Sequence, residues 1–207
     1  MRDFPHSAPM PSQLLPNIKQ IISILLVCLF LVISTSRLLA QGNQTIFSQI
    51  SIEGGLSQSI VSCIIQDRGG FMWFGTEDGL NRYDGYRITV MRHNPNDPNS
   101  LSYNEILSIL EDRSGTLWIG TFHGGLNRYD PVTKRFTHFR HDPDDPNSIS
   151  HNIVRTIYED SAGMLWIGTD GGLNRLNPET GRFTRYLHDP NISASLSLSL
   201  INISEPT

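Results

Sequence analysis

Ten residues at positions 112–121, Asp-Arg-Ser-Gly-Thr-Leu-Trp-Ile-Gly-Thr, recur in related form at 67–76 and 160–169. In each copy an aspartate (Asp67, Asp112, Asp160) is followed three residues later by glycine (Gly70, Gly115, Gly163) and six residues later by tryptophan (Trp73, Trp118, Trp166). The chain holds 3 tryptophans, and all of them occupy this one position. The tryptophans are 45 and 48 residues apart, a period of about 40–50 residues that marks β-propeller blades rather than helical hairpin repeats. A chain built this way stacks equivalent units, and the number of units limits what it can bury.

Each copy sits inside a longer pattern of strands and turns. An apolar, β-branched segment comes first: 60–65, 105–110 and 153–158. Such segments read as strands, and apolar residues on both alternating faces suit a sheet packed between two others. The Asp-x-x-Gly turn, with glycine supplying a positive φ, leads into a second strand carrying the tryptophan. After Gly-Thr, a short loop ends in Gly79, Gly125 or Gly172 and gives way to a third strand, Leu-Asn-Arg-Tyr-Asp in the first two units and Leu-Asn-Arg-Leu-Asn in the third. A turn then precedes a fourth strand, 87–91, 135–139 and 182–186, whose alternation fits a half-solvated outer position. Four strands per unit make a propeller blade. Between units lie 94–100 and its copy 142–148, each with two prolines and several Asx residues, which read as exposed crossover loops.

The expected fold class is therefore all-β, with propeller repeats over 46–190. Three four-stranded blades, at about 56–93, 101–141 and 149–188, are followed over 191–207 by the start of a fourth. Propellers close with about four to eight blades, so the expectation is an incomplete ring and a truncated or N-terminal piece of a larger protein. Residues 1–40 differ in kind. Lys19 precedes a 13-residue apolar run, 21–33, and Leu38-Leu39-Ala40 follows it. That order reads as a signal peptide cleaved after Ala40, or else an N-terminal membrane anchor, and it places the rest of the chain outside the cytoplasm.

Charge and cysteine content exclude several functions. Lys+Arg 16 against Asp+Glu 20, a net charge of -4 with neither sign gathered into a run, gives no footprint of a nucleic-acid binder. Cys28 and Cys63 supply neither a disulfide framework nor a cysteine zinc site, and with no coordinating set standing outside the repeat pattern no metal and no cofactor are expected. A catalytic group is needed once, whereas Asp67, Asp112 and Asp160 appear in every unit, and turn chemistry accounts for them. The tryptophans read as packing between blades, Asn81, Asn127 and Asn174 with Arg82, Arg128 and Arg175 as hydrogen-bonders within blades, and His93, His141 and His188 as structural. Candidate ligand contacts are the residues that break the repeat after Gly-Thr: Glu77 and Asp78 in the first unit, Phe122 and His123 in the second, Asp170 in the third. Ligands commonly bind such loops at one end of a propeller.

Asp-x-x-Gly-x-Leu-Trp-Ile-Gly-Thr, Gly-Leu-Asn-Arg-Tyr-Asp, Phe-Thr-x-Phe and the linker His-Asp-Pro-x-Asp-Pro-Asn-Ser-Ile-Ser together resemble the two-component regulator propeller repeat. That repeat builds the extracytoplasmic sensor region of hybrid two-component system histidine kinases. The resemblance implies a periplasmic sensor for a small molecule or oligosaccharide, dimeric in the full receptor. Further blades, a transmembrane helix and a cytoplasmic output module, a histidine kinase or diguanylate cyclase, would lie beyond this chain. On that reading the chain is not itself an enzyme. The competing class is a propeller enzyme of quinoprotein or sialidase type, whose blade motifs are similar to Asp-x-x-Gly-x-x-Trp. Against it, no singular catalytic set stands outside the repeat.

Overall fold

A computed structural model of the chain describes residues 49–191 and 196, together with positions 19, 21–23, 25–27 and 29. The chain divides into two units, Met1–Ser48 and Gln49–Thr207. In the first, the described positions are helical, and among the described residues no helix is long and apolar enough to cross a membrane. Cys28, the cleavage point after Ala40 and most of 192–207 lie outside the described residues.

The second unit forms three four-stranded antiparallel sheets, each a simple meander. The first comprises β1 (Val61–Gln66), β2 (Met72–Thr76), β3 (Gly79–Tyr83) and β4 (Ile88–Met91). The second comprises β5 (Ile106–Glu111), β6 (Leu117–Thr121), β7 (Leu126–Asp130) and β8 (Arg135–Phe139). The third comprises β9 (Val154–Glu159), β10 (Leu165–Thr169), β11 (Gly172–Asn177) and β12 (Arg182–Tyr186). These are the three blades the repeat predicts. The second strands run further than their sequence suggests, because the Gly-Thr pair continues the ladder: Gly75 faces Leu80 and Thr76 faces Gly79.

Two cores lie in the seams between blades. One gathers Trp73 and Leu80 of the first blade with Ile106, Leu117, Ile119, Tyr129 and Phe136 of the second. The other gathers Trp118 and Leu126 with Val154, Leu165, Ile167, Leu176 and Phe183 of the third. Leu101 and Ile149, which follow the two crossover loops, are fully buried in these seams. No blade therefore has a private core, as expected of units that bury their faces against neighbours. One expectation needs correcting. The first strand was expected to be buried on both faces, yet β1 alternates between half-buried and exposed positions, with Ile64 54% exposed. Its second face meets no other sheet among the described residues.

The first strand of every blade carries a bulge at the same place: Ser62, Leu107 and Arg155 fall where the register skips. A bulge bends its strand and re-aims one side chain.

The crossover loops are held by repeated hydrogen bonds. The backbone N–H of Asn94 donates to Ser100 Oγ (2.9 Å) and that of Asp142 to Ser148 Oγ (2.8 Å). His93 Nδ1 reaches Leu101 O at 2.8 Å, His141 Nδ1 reaches Ile149 O at 2.8 Å, and His188 Nδ1 reaches Leu196 O at 2.6 Å. Leu196 thus takes the place of Leu101 and Ile149, one repeat further on. On the outer strand, His138 Nε2 meets Ser100 O at 2.7 Å, and Arg185 Nε donates to Ser148 O at 2.6 Å. Each pins the loop that introduces its own blade; the aligned residue of the first blade is Val90.

Close approach between blades requires glycine in the second strand. A Cβ on Gly120 would meet Val154 Cγ1 at 2.6 Å and Val154 O at 2.8 Å. On Gly75 it would meet Ile106 Cγ2 at 2.6 Å and the Cys63 sulfur at 2.5 Å. A backbone carbonyl cannot swing aside as a side chain can, so Gly120→Ala is expected to lower stability by about 1–3 kcal/mol through overpacking, measured as the shift in urea midpoint at unchanged m-value.

Candidate functional site

The repeated aspartates close their own turns. Asp112 Oδ1 accepts the backbone N–H of Ser114 and of Thr116, both at 2.9 Å, and Oδ2 accepts the Trp118 indole Nε1–H at 2.8 Å. Asp67 makes the same bonds to Phe71 N (2.9 Å) and Trp73 Nε1 (2.7 Å), and Asp160 to Met164 N (3.0 Å) and Trp166 Nε1 (2.8 Å). Gly70, Gly115 and Gly163, at φ 85°, 85° and 79°, close the turns. The carboxylate is thus consumed by its turn and by the tryptophan six residues on. The indole bond is legible in the constant spacing of six, because one turn geometry brings the ring edge to the same oxygen each time.

The other repeated polar residues are similarly engaged. Asn81, Asn127 and Asn174 are fully buried. Each accepts the backbone N–H of the serine that opens its blade, Ser57 (2.9 Å), Ser102 (3.0 Å) and Ser150 (2.8 Å), and donates to that serine's hydroxyl. Cys63 sits in the first seam, where burial pushes its thiol up to about 12 against a hydrogen bond from the Gly75 backbone. A thiol so held carries almost no thiolate near neutrality, which leaves it unreactive.

At the opposite end of each blade lie the loops between the second and third strands. A threonine anchors each: Thr76 Oγ1 donates to Gly79 O (3.0 Å), Thr121 Oγ1 to Gly125 O (2.9 Å) and Thr169 Oγ1 to Gly172 O (2.8 Å). Above these anchors the blades differ. Asp78 is paired with Arg92, Nη2 to Oδ2 2.9 Å. Asp170 is paired with Arg155, the bulge residue of its blade, through Nε at 2.5 Å and Nη2 at 3.0 Å. These two candidates therefore face an arginine of their own blade, and Glu77 stands exposed beside the first pair.

In the second blade the loop is one residue longer, with Phe122, His123 and Gly124 between Thr121 and Gly125 where its neighbours have two residues. Among the described residues no ion pair closes it. His123 is exposed, its ring 4.3 Å from that of Phe122 and 5.5 Å from that of Tyr103, both edge-on. Tyr103 belongs to the segment entering β5 and completes a three-ring cluster. It stands where the third unit has His151 and the first has Gln58, a further break in the repeat that sequence inspection of the loop alone misses. Among the described residues no group of three His, Cys, Asp or Glu side chains could hold a metal ion.

Comparison with known proteins agrees with this arrangement. The model of the two component regulator propeller repeat matches residues 55–78, 100–123 and 148–171, from each blade's opening segment to the loop after Gly-Thr. The extracellular domain assigned to a hybrid two component system of B. thetaiotaomicron superposes with a TM-score of 0.64 and 35% identity, covering 68% of this chain and 20% of that one. A histidine kinase, P4 of Formosa agariphila, is 45% identical over 73 residues, 35% of this chain and 5% of the kinase. The chain thus spans only a small part of the length of either relative. The chain carries three two-component regulator propeller repeats, one in each blade.

Turn aspartates give the fold a pH dependence. At Asp112 burial raises the carboxyl's affinity for its proton, but hydrogen bonds from Ser114, Trp118 and the Thr116 backbone outweigh it and hold the group below the usual carboxylate range. Asp160 is held down first by the Trp166 indole and then by the Met164 backbone. A carboxyl depressed in the folded state adds stability that is complete above its unfolded value of about 3.9, and that is lost as pH falls through the folded value. The urea midpoint is expected to be flat from about pH 7 to 5 and to fall below about pH 4, less steeply in Asp112→Asn.

Proposed function

We propose that this chain is the ligand-sensing region of an extracytoplasmic two-component receptor, and that it reads a small molecule of the carbohydrate class on its loop face, around Tyr103, Phe122 and His123. The observation that carries the reading is the contrast among three equivalent loops. Two are closed by an arginine–carboxylate pair, and the second, one residue longer, instead presents three aromatic rings without a closing charge. Aromatic faces offer apolar area at low conformational cost, and the tyrosine hydroxyl and imidazole nitrogens offer hydrogen bonds. A sugar presents the same mixture of C–H faces and hydroxyls. Exposed Glu77 and Asp170 and half-buried Asp78 would border such a ligand rather than ground it, since their charges on the neighbouring blades are already engaged or solvated.

The three repeat matches support the sensor role, and the relatives named for a hybrid two-component system and a histidine kinase support a cytoplasmic kinase as the output. Binding would be non-enzymatic and would act on that output through parts of the receptor outside this chain. The same family context favours an extracytoplasmic location, with the apolar stretch over 21–33 as export signal or tether.

The test is calorimetric titration of neutral and acidic oligosaccharides against the chain, with Phe122→Ala, His123→Ala and a control, Val132→Ser, in the exposed β7–β8 turn on the opposite face. The ligand that binds is expected to lose about tenfold or more in affinity with each aromatic substitution, as for a residue at the centre of a binding site, and to be unaffected by the control. Equal binding by all variants would refute this placement.

A further inference from the structure

The two seams offer the same groove twice, at the Asp-turn end and away from the loop face, with about 330 Å³ of open space in the first and about 430 Å³ in the second, and they are lined differently. In the first, the guanidinium of Arg82 lies over the ring of Phe71 at 3.8 Å. The ring of Tyr129 from the next blade meets Trp73 edge-on at 5.6 Å. Arg82, Phe71, Trp73 and Tyr129 all line that groove. Register makes the correspondence strict, because Arg82 pairs with Trp73 and Arg128 pairs with Trp118. In the second groove Thr116 stands where Phe71 stood, and Leu176 where Tyr129 stood. Both rings are gone.

What remains is a cleft of about 430 Å³ lined by Thr116, Trp118 and Arg128 of the second blade and by Glu159, Met164 and Glu179 of the third. Arg128 is exposed, whereas Arg82 and Arg175 are half-buried, the latter 5.9 Å from the Trp166 ring. Among the described residues Arg128 lies over no ring. Glu159 uses Oε2 to accept the backbone N–H of Arg113 at 2.8 Å, which fixes its carboxylate on the cleft wall.

We propose that this second groove is a binding site for a small aromatic molecule bearing a hydrogen-bond donor, a phenol or an indole, whose ring takes under Arg128 the place that Phe71 takes under Arg82. A guanidinium is attracted to the face of an aromatic ring. The carboxylates of Glu159 and Glu179 at the rim accept a phenolic O–H or indole N–H and disfavour an acidic ring. In the first seam the arginine at this position already lies over a ring, which sets the chemistry of the occupant.

The experiment is titration of the ¹⁵N-labelled chain with p-cresol and with indole up to about 10 mM, a range that reaches saturation for a dissociation constant of about 1 mM. The readouts are the Arg128 Nε–H and the Thr116 backbone N–H. Saturable shifts at both are expected. Thr116→Phe, which restores the missing ring, is expected to abolish them while leaving the chain folded and its melting temperature equal or higher. Arg128→Gln is expected to weaken binding about two- to fivefold. Absence of saturable shifts at Arg128, or shifts that persist unchanged in Thr116→Phe, would overturn the proposal. Shifts caused only by an aromatic peptide side chain, and by neither small molecule, would also overturn it.

Discussion

One hydrogen bond holds the rest in place: the indole N–H of each blade's tryptophan to the carboxylate six residues before it. The same carboxylate accepts two backbone N–H groups of its turn at Asp112 and Asp160. The turn, the direction of the second strand and the rotamer of the largest core side chain are therefore set together. A hydrogen bond to a charged group contributes about 1.5–3 kcal/mol, and at Asp112, where the residue is nearly buried, removing the indole takes away the partner of Oδ2 while Oδ1 keeps its turn N–H groups. Blade-to-blade contacts inherit this geometry. The backbone N–H of Arg68 donates to Glu111 at 2.9 Å and that of Arg113 to Glu159 at 2.8 Å, so each Asp-turn clasps the residue before the next blade's aspartate.

Most of the fold was legible because repetition separates structure from function. Three copies in register identify the blades, and the glycines at positive φ, the seam tryptophans and the buried asparagines all fall at fixed positions. What the sequence hid was the third dimension of the pattern. The Asp–Trp bond joins residues whose side chains lie on one edge of a hairpin, and Gly120 is needed because Val154, from the next blade, lies against it. The two-faced burial expected of β1 depended on a neighbour that the apolar pattern alone cannot supply.

The candidate site was legible in part. Breaks in the repeat pointed to Glu77, Asp78, Phe122, His123 and Asp170, and the structure places all five on one end of the blades. It also divides them. Asp78 and Asp170 meet Arg92 and Arg155, partners that sit 14 and 15 residues away in sequence and that no local reading joins to them. Tyr103, by contrast, lies outside the loop and reaches His123 only through the approach of the segment entering β5 to the loop after β6. The same internal comparison, turned to the Asp-turn end, separates a groove with an arginine–phenylalanine stack from one without it. In a repeat protein each blade is the control for its neighbours.

The most direct test of the central claim is hydrogen exchange of the three indole N–H groups, followed by NMR at neutral pH. If the Asp–Trp bonds organise the blades, the indoles of Trp73 and Trp118 exchange as slowly as the backbone amides of β2 and β6, and Trp118→Phe speeds exchange across both seams that its blade forms. Indoles that exchange as fast as free tryptophan while those amides stay protected would contradict the account, since the strands would then stand without the bond on which it rests.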